Sequence, residues 1–452
     1  MRKKRLSALI AVLIAVFSGC TNSDTNAGNV TSVNTTAALT VVTTTVSSAE
    51  AETTASATTA ASSSESTVNN TVTEADSVLP VRTVDINGIT YELEYDESDN
   101  TWSTQKEELK ILADIMKAEC AISPAIKGTY LLATDDDIIF IGGINSVDIN
   151  GNKVDEYTTY EIGSLTKMIT ATAVLQLYEQ GKLSLNDTLD KYFPEYVSKF
   201  GEDISIYHLL HMQSGLQQEF LTQFFRNSSG KQDREVTNKF YTDGYTDDEL
   251  LSALFSGHLL YEPGTGCSYS NAGYTLLAMI IESITGESYA EYIQKNIFDV
   301  CGMEHSTSMT SADLTSIPDA LSDDSHKLNY ENTLDNGYMR SPRTTRGAMD
   351  IHSCAADLLS FNRALNGGKL LSESSLEIMF HADKEYCCGW MPNPEGDDIF
   401  YFTGSTLSYI SDIEYMKSEK YGNVYLIQLH PTYNGSGYIF ECDKSIIDAV
   451  YQ

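Results

Sequence analysis

Strand-like segments in this chain fall into two groups set far apart, and that gap constrains the fold more than any other feature. Residues 130–133 and 138–141 are short apolar runs on either side of the acidic turn Asp135-Asp136-Asp137. Strand signals then stop, and from Ser164 to about Phe380 the apolar spacing is mainly helical. They return at 399–403, 408–415 and 424–429, ahead of a last helix over 444–451. A helix over 107–120 precedes the first pair. Two strands, a long helical insertion and three more strands predict an α+β chain of the α/β-sandwich type. Its five-stranded antiparallel sheet is flanked by helices, with a mainly helical subdomain beside it.

The N-terminal quarter has a different character. A basic start, an apolar run from Leu6 to Phe17 and small residues ending at Cys20 predict an export signal over 1–19. The run is too short to span a bilayer. Phe17-Ser18-Gly19-Cys20 resembles the bacterial lipobox, which implies that Cys20 is acylated and holds the mature chain at the membrane. Residues 20–77 are chiefly Thr, Ser, Ala and Val, too poor in large apolar groups to offset the entropy of ordering, and predict a disordered tether. Between 78 and 103, Val84 and Ile86 lead into Asn87-Gly88, with Ile89, Tyr91 and Leu93 beyond, which predicts a β-hairpin on a two-residue turn. The main folded domain is expected over 104–452.

Charge and cysteines exclude several functions. Of 452 residues, 63 are Asp or Glu and 29 are Lys or Arg, so phosphate backbones are repelled and nucleic-acid binding is set aside. Beyond Cys20 the cysteines are Cys120, Cys267, Cys301, Cys354, Cys387, Cys388 and Cys442, an odd and irregular set that does not form a disulfide framework. They read as small buried hydrophobes. No cofactor motif and no obligate protein partner emerges. His208 and His211 share a helical face, but without an acidic helper they predict helix packing and not a metal site.

Two short motifs bear chemistry. Ser164-Leu165-Thr166-Lys167 opens a helix whose apolar positions include Ile169, Ala173, Val174 and Leu177. A helical spacing of three puts the Ser and Lys side chains on one face, and burial favours the neutral amine that can act as a base. Tyr269-Ser270-Asn271 follows the Pro263-Gly264 turn and precedes an apolar helix, which would present Tyr269 and Asn271 to a cleft. Neither motif is rare: Ser103…Lys106 and Ser228…Lys231 repeat the first spacing, Tyr330…Asn332 and Tyr421…Asn423 the second. Order and context distinguish them. Neither a Gly-x-Ser-x-Gly elbow nor a His-Glu-x-x-His helix occurs.

In that order and context the chain resembles the serine β-lactamase and penicillin-binding-protein family, which includes class C β-lactamases, D-Ala-D-Ala carboxypeptidases and related esterases. The likeness is carried by Glu161-Ile162-Gly163-Ser164-Leu165-Thr166-Lys167, Leu183 to Asp187, His208-Leu209-Leu210, Ser214-Gly215-Leu216, Glu262-Pro263-Gly264 and Tyr269-Ser270-Asn271. Phe298 with Gly302-Met303 extends it. The resemblance implies a β-lactamase/transpeptidase-like fold. It also implies attack by Ser164 on an acyl carbonyl, proton relay by Lys167 and Tyr269, and substrate orientation by Asn271. The backbone N–H groups of Ser164 and Ser405 would then form the oxyanion hole.

The third family motif departs from the pattern. On the strand Tyr401-Phe402-Thr403-Gly404-Ser405, Phe402 stands where relatives carry the Lys or His that helps to bind a substrate carboxylate. Losing that charge-assisted contact removes about 1.5–3 kcal/mol, roughly tenfold to a hundredfold in affinity. The expectation is weak or absent β-lactamase activity, with substrate held against Phe402, Thr403, Gly404, Ser405 and Asn271. Cell-wall D-aminoacyl peptides, acyl esters or small esters would be the substrates. Arg340, Arg343 and Arg346 could supply the missing cation, although solvent-facing loop arginines are the simpler expectation. The competing class of function is a catalytically degenerate surface protein that binds wall fragments. Intact Ser164, Lys167, Tyr269 and Asn271 favour the enzyme.

Overall fold

In a computed structural model the described residues are 79–122, 126–148, 151–196, 200–218, 245–308, 321–322, 342–393, 398–406, 409–431 and 439–451. The expected export signal, Cys20 and the tether therefore lie outside the described residues, as does Arg340. So do the spacings at Ser228…Lys231 and Tyr330…Asn332.

Asn87 and Gly88 take φ of +50° and +83°, the two left-handed positions of a tight hairpin turn. That turn joins β1 (Val81–Ile86) to β2 (Ile89–Asp96) in register from Ile86–Ile89 outward. A third strand, β3 (Thr101–Ser103), pairs with β2 and also with β5 (Ile138–Ile144), which itself pairs with β4 (Gly128–Thr134). The later strands are β6 (Met391–Pro392), β7 (Ile399–Ser405), β8 (Tyr409–Ser418) and β9 (Gly422–Pro431). All described pairings in this sheet are antiparallel, in the order β1-β2-β3-β5-β4-β9-β8-β7-β6.

The expected five strands are β5-β4-β9-β8-β7, the middle of a sheet of nine. The class of fold is as read, while the strand number is corrected. The open edge of β5 accepts β3, so the N-terminal hairpin extends the sheet instead of standing apart. Asn87 pins its turn to the main body: its side-chain amide donates to Ser360 Oγ and its backbone N–H to Tyr157 Oη at 3.1 Å.

Side chains alternate across the sheet, so each face has its own core. On one face Leu132, Phe140, Ile399, Met416 and Leu426 pack with helices α1 (Glu107–Ala121) and α6 (Ile439–Val450). On the other, Leu131, Ile141, Phe402, Ile413 and Ile427 join a larger core that continues into the helical subdomain. Helix α2 (Thr166–Glu179) runs through that core, with α3 (Asp247–Ser256), α4 (Asn271–Thr285) and α5 (Ala355–Asn366) in the same half.

Helix α2 reads as amphipathic in sequence, yet Thr166 to Leu175 are all buried. Its polar positions stay inside because each finds a partner. Thr172 donates to the Met168 carbonyl one turn back at 2.8 Å, whereas Thr170 donates to the Gly347 carbonyl at 2.7 Å and Thr166 Oγ1 accepts the Ile351 N–H at 3.3 Å. The C-terminal helix likewise begins at Ile439, earlier than its apolar pattern indicates. Among the described residues no helix is long and apolar enough to cross a membrane. The described cysteines are thiols, with Cys120, Cys301, Cys354, Cys387 and Cys388 buried and Cys267 half-buried.

Candidate active site

Three separate segments meet at Ser164. The residue lies in a 3-10 turn, Gly163–Leu165, that runs into α2. Gly163 takes φ +52°, and a Cβ there would lie 3.0 Å from the Ser405 N atom and 3.1 Å from the Thr406 methyl. Glycine thus lets the turn approach the end of β7 where another residue would be both strained and crowded. The strand answers with a glycine of its own, because a Cβ on Gly404 would stand 2.0 Å from the Ile162 carbonyl oxygen. That carbonyl accepts the Ser411 hydroxyl at 2.7 Å, which binds the turn to β8. The backbone N–H groups at 164 and 405 are brought into one neighbourhood by this mutual fit.

The second segment is the loop ahead of α4. Ser270 caps the helix, accepting the Gly273 N–H at 3.1 Å while its hydroxyl donates to the Gln217 carbonyl at 2.8 Å. With the cap held from both sides, Tyr269 and Asn271 are fixed next to it. Tyr269 Oη lies 2.5 Å from Ser164 Oγ. Lys167, one turn along α2 from Ser164 and fully buried, places Nζ 3.2 Å from Ser164 Oγ and 2.8 Å from Asn271 Oδ1. The same nitrogen sits 4.8 Å from the centre of the Tyr269 ring. The Ser164 hydroxyl is therefore engaged by the phenol and the amine and is not spent on capping α2, whose N-terminus has no side-chain cap.

A third acceptor for Lys167 could not be read from a local pattern. The Ala348 carbonyl lies 2.7 Å from Nζ, 181 residues along the chain. With it, Nζ has three oxygens around it, and a neutral amine that donates to Asn271 and Ala348 can turn its lone pair to the Ser164 hydroxyl. The turn bearing Ala348 is braced by Asp350, whose carboxylate accepts the Gly347 N–H at 2.7 Å and the Ser308 hydroxyl at 2.6 Å. Burial pushes the Asp350 carboxyl up to about 6. The Gly347 conformation, φ +75° with a prospective Cβ 2.7 Å from that of Ala278, is the local sign that this turn is closely packed. Glycine at 347 is the signal that was there to be found.

The third motif is brought in only partly. Gly404 and the backbone of Ser405 reach the Ser164 turn, as above. Phe402 is 2 % exposed and belongs to the core on the α2 side. Thr403 points to the opposite face, where its hydroxyl donates to Asp412 Oδ1 at 2.7 Å. Arg346 is neither in the cleft nor in solvent. It is 4 % exposed and pairs with Asp247 at 2.8 Å and Glu282 at 3.2 Å, joining α3 to α4, which corrects the expectation of a solvent-facing loop cation. The Arg343 side chain is outside the described residues. His208 and His211 take part in local packing: His208 accepts the Ser205 N–H at 3.3 Å, and His211 stacks on Tyr207 at 4.1 Å between ring centres. Burial holds both imidazoles below their ordinary range.

A serine hydroxyl at the head of a buried helix, in hydrogen-bond reach of a lysine amine and a tyrosine phenol, can act as a nucleophile whose proton those two groups carry. Comparison with known proteins gives the family. The Beta-lactamase family profile matches residues 115–418, and the chain belongs to that family. It is 28% identical over 307 residues to penicillin-binding protein 4* of Bacillus subtilis (strain 168), covering 62% of this chain and 63% of that protein. To the putative penicillin-binding protein PbpX of the same organism it is 28% identical over 257 residues, 56% of this chain and 58% of the relative. The chain thus spans less than two thirds of the length of these relatives. Among solved structures, a penicillin binding protein from Bacillus halodurans superposes with a TM-score of 0.56 at 19% identity, over 75% of this chain and 99% of that one. The D-amino acid amidase from Ochrobactrum anthropi SV3 gives 0.56 at 20% identity, over 76% and 100%. These two likenesses concern the fold.

Proposed function

We propose that the protein is an exported, lipid-anchored serine hydrolase that forms an acyl-enzyme on Ser164. Its substrates are D-aminoacyl peptides or esters of the cell wall, or small esters, and its β-lactamase activity is weak or absent. The observation that carries this reading is the 2.5 Å approach of Tyr269 Oη to Ser164 Oγ with Lys167 Nζ 3.2 Å from the same oxygen. Ser164 Oγ attacks the acyl carbonyl as its proton passes to the Tyr269–Lys167 pair. The developing oxyanion is received by the N–H groups of Ser164 and Ser405. The pair then returns the proton to the leaving group, and water repeats the sequence in reverse roles to release the acid and restore Ser164.

Asn271 orients the substrate's acyl side while it accepts from Lys167. Phe402, with Arg346 committed to Asp247 and Glu282, supports a preference for substrates without a terminal carboxylate. The relatives named for penicillin binding and the D-amino acid amidase neighbour are consistent with D-configured acyl or amide substrates. Anchoring at Cys20 would set the domain on the outer side of the membrane at the end of a tether of 57 residues, 21–77.

Mass spectrometry after exposure to a fluorophosphonate and to a labelled penicillin tests the proposal. An adduct on Ser164 with the fluorophosphonate, a slower one with penicillin and none in Ser164→Ala is the expected result. Failure of both probes to label the folded protein would leave the degenerate binding protein in its place.

A further inference from the structure

We propose that Asp412, Glu414 and Asp443, together with the side-chain carbonyl of Gln428, form a binding site for a calcium ion on the sheet face opposite Ser164. Asp412 and Glu414 alternate with Ile413 along β8, so both project to the face covered by α6. Gln428 on β9 stands directly opposite Asp412 in register, and Asp443 comes from α6. Ligand oxygens of the three acids all lie within 4.8 Å of one another. Every contributor is buried, at 1% for Asp412, 3% for Glu414, 5% for Asp443 and 0% for Gln428.

An acidic cluster alone would prove nothing, and the decisive feature is the carboxamide. Gln428 Nε2 donates to Asp443 Oδ1, so the carboxamide lies against the cluster by its N–H side, and a half-turn about its last bond exchanges the nitrogen for Oε1. Its Oε1, fully buried, accepts no hydrogen bond, and neither does Asp412 Oδ2. Buried acceptors without donors are costly, and natural folds rarely leave two together. Among the described residues no cationic side chain lies against Asp412 or Asp443. A bound cation would satisfy these oxygens and the charge at once.

Donor type and spacing choose the ion. An all-oxygen set suits calcium, magnesium or manganese and disfavours zinc or copper. Calcium holds oxygens at about 2.3–2.6 Å, so its opposite ligands stand about 4.6–5.2 Å apart, whereas the tight magnesium octahedron spans only about 4.2 Å. The acid oxygens lie within the larger span, and ligands fixed on two strands and a helix suit the flexible calcium shell better than the near-ideal octahedron that magnesium demands. Asp412 also accepts the Thr403 hydroxyl, one residue before Gly404. The ion would thereby tie the C-terminal helix to the strand that carries the Ser405 N–H.

The test uses the full chain, stripped with EDTA and then passed through gel filtration with or without calcium chloride. Retention of a single calcium ion per chain by elemental mass spectrometry is expected, with a rise in melting temperature in millimolar calcium chloride that magnesium chloride does not match. Asp443→Asn and Asp412→Asn, each assayed separately, should lose both effects. Absence of retained metal and of any melting shift in the unmodified protein overturns the proposal and leaves protons as the neutralising charge. A calcium shift that persists in both variants places the ion elsewhere, and a larger shift with magnesium overturns the choice of ion. If a variant does not fold, the metal content and melting shift of the unmodified chain still decide.

Discussion

Tyr269 Oη stands 2.5 Å from Ser164 Oγ although 105 residues separate them in sequence. Nothing local enforces that approach. It is produced by the Ser270 cap, which holds the start of α4, and by the twin glycines Gly163 and Gly404, which let the Ser164 turn settle against β7.

Replacement of Tyr269 by Phe removes the proton-carrying oxygen and leaves the ring over Lys167. Hydrolysis of an activated aryl ester by Tyr269→Phe should fall by roughly 10²–10⁴ in kcat with little change in KM. Circular dichroism should show the fold unaltered. A loss below threefold would remove Tyr269 from the proposed relay.

Asp350 acts on the site through the turn that carries the Ala348 carbonyl. Asp350→Ala leaves the buried Gly347 N–H without its acceptor, at about 1–3 kcal/mol of stability. Because Ala348 also holds Lys167, kcat should drop more than KM rises. Asp350→Asn, which keeps an acceptor oxygen, should recover much of both. If the alanine variant is destabilised yet turns over normally, the turn does not position Lys167.

Gly404→Ala sets a methyl group against the Ile162 carbonyl, 2.0 Å away before relaxation. Strand and turn must separate, at a cost of about 1–3 kcal/mol by analogy with overpacked cores. The Ser405 N–H moves with the strand, so acylation by a fluorophosphonate should slow by more than tenfold in protein that still melts cooperatively.

Glu156 supplies a pH dependence of known sign. Burial raises its carboxyl from an ordinary 4.5 to about 7. The folded chain therefore keeps a proton that the unfolded chain releases. The stability from this group is complete below about pH 4.5 and is lost as pH rises through about 7. In Glu156→Gln that loss disappears, so the variant should gain on the parent by up to ~3 kcal/mol between pH 5 and pH 8. Urea midpoints at the two pH values measure the gain, and equal differences at both would refute it.

Phe402→His restores a hydrogen-bond donor to the third motif. Acylation by penicillin relative to a neutral ester should rise tenfold or more, the scale of one charge-assisted contact to a carboxylate. A fall in melting temperature is expected with it, since Phe402 is 2 % exposed and the imidazole must be desolvated there. An unchanged ratio of the two rates would show that residue 402 does not face the substrate carboxylate.

Much of this was legible locally. Asn87-Gly88 specifies its turn through two left-handed conformations, and Ser164 and Lys167 share a face because three residues is nearly one helical turn. The strand groups on either side of the helical middle were equally plain, since apolar periodicity needs only neighbours a few residues apart. Less legible was the extent of the sheet. A hairpin read by itself does not reveal that β3 will find the edge of β5.

By its sequence alone, then, this chain determined its antiparallel α+β class, the shared face of Ser164 and Lys167 in its candidate site and the loop that carries Tyr269. Only tertiary structure decided that Ala348 would take the third bond of Lys167, that Arg346 would be consumed by Asp247 and Glu282, and that Thr403 would turn toward Asp412. The physical reason is range. Local patterns follow from torsions and contacts within a turn or a strand, whereas these pairings depend on core packing and strand register, where a slip of one residue sends a side chain to the other face.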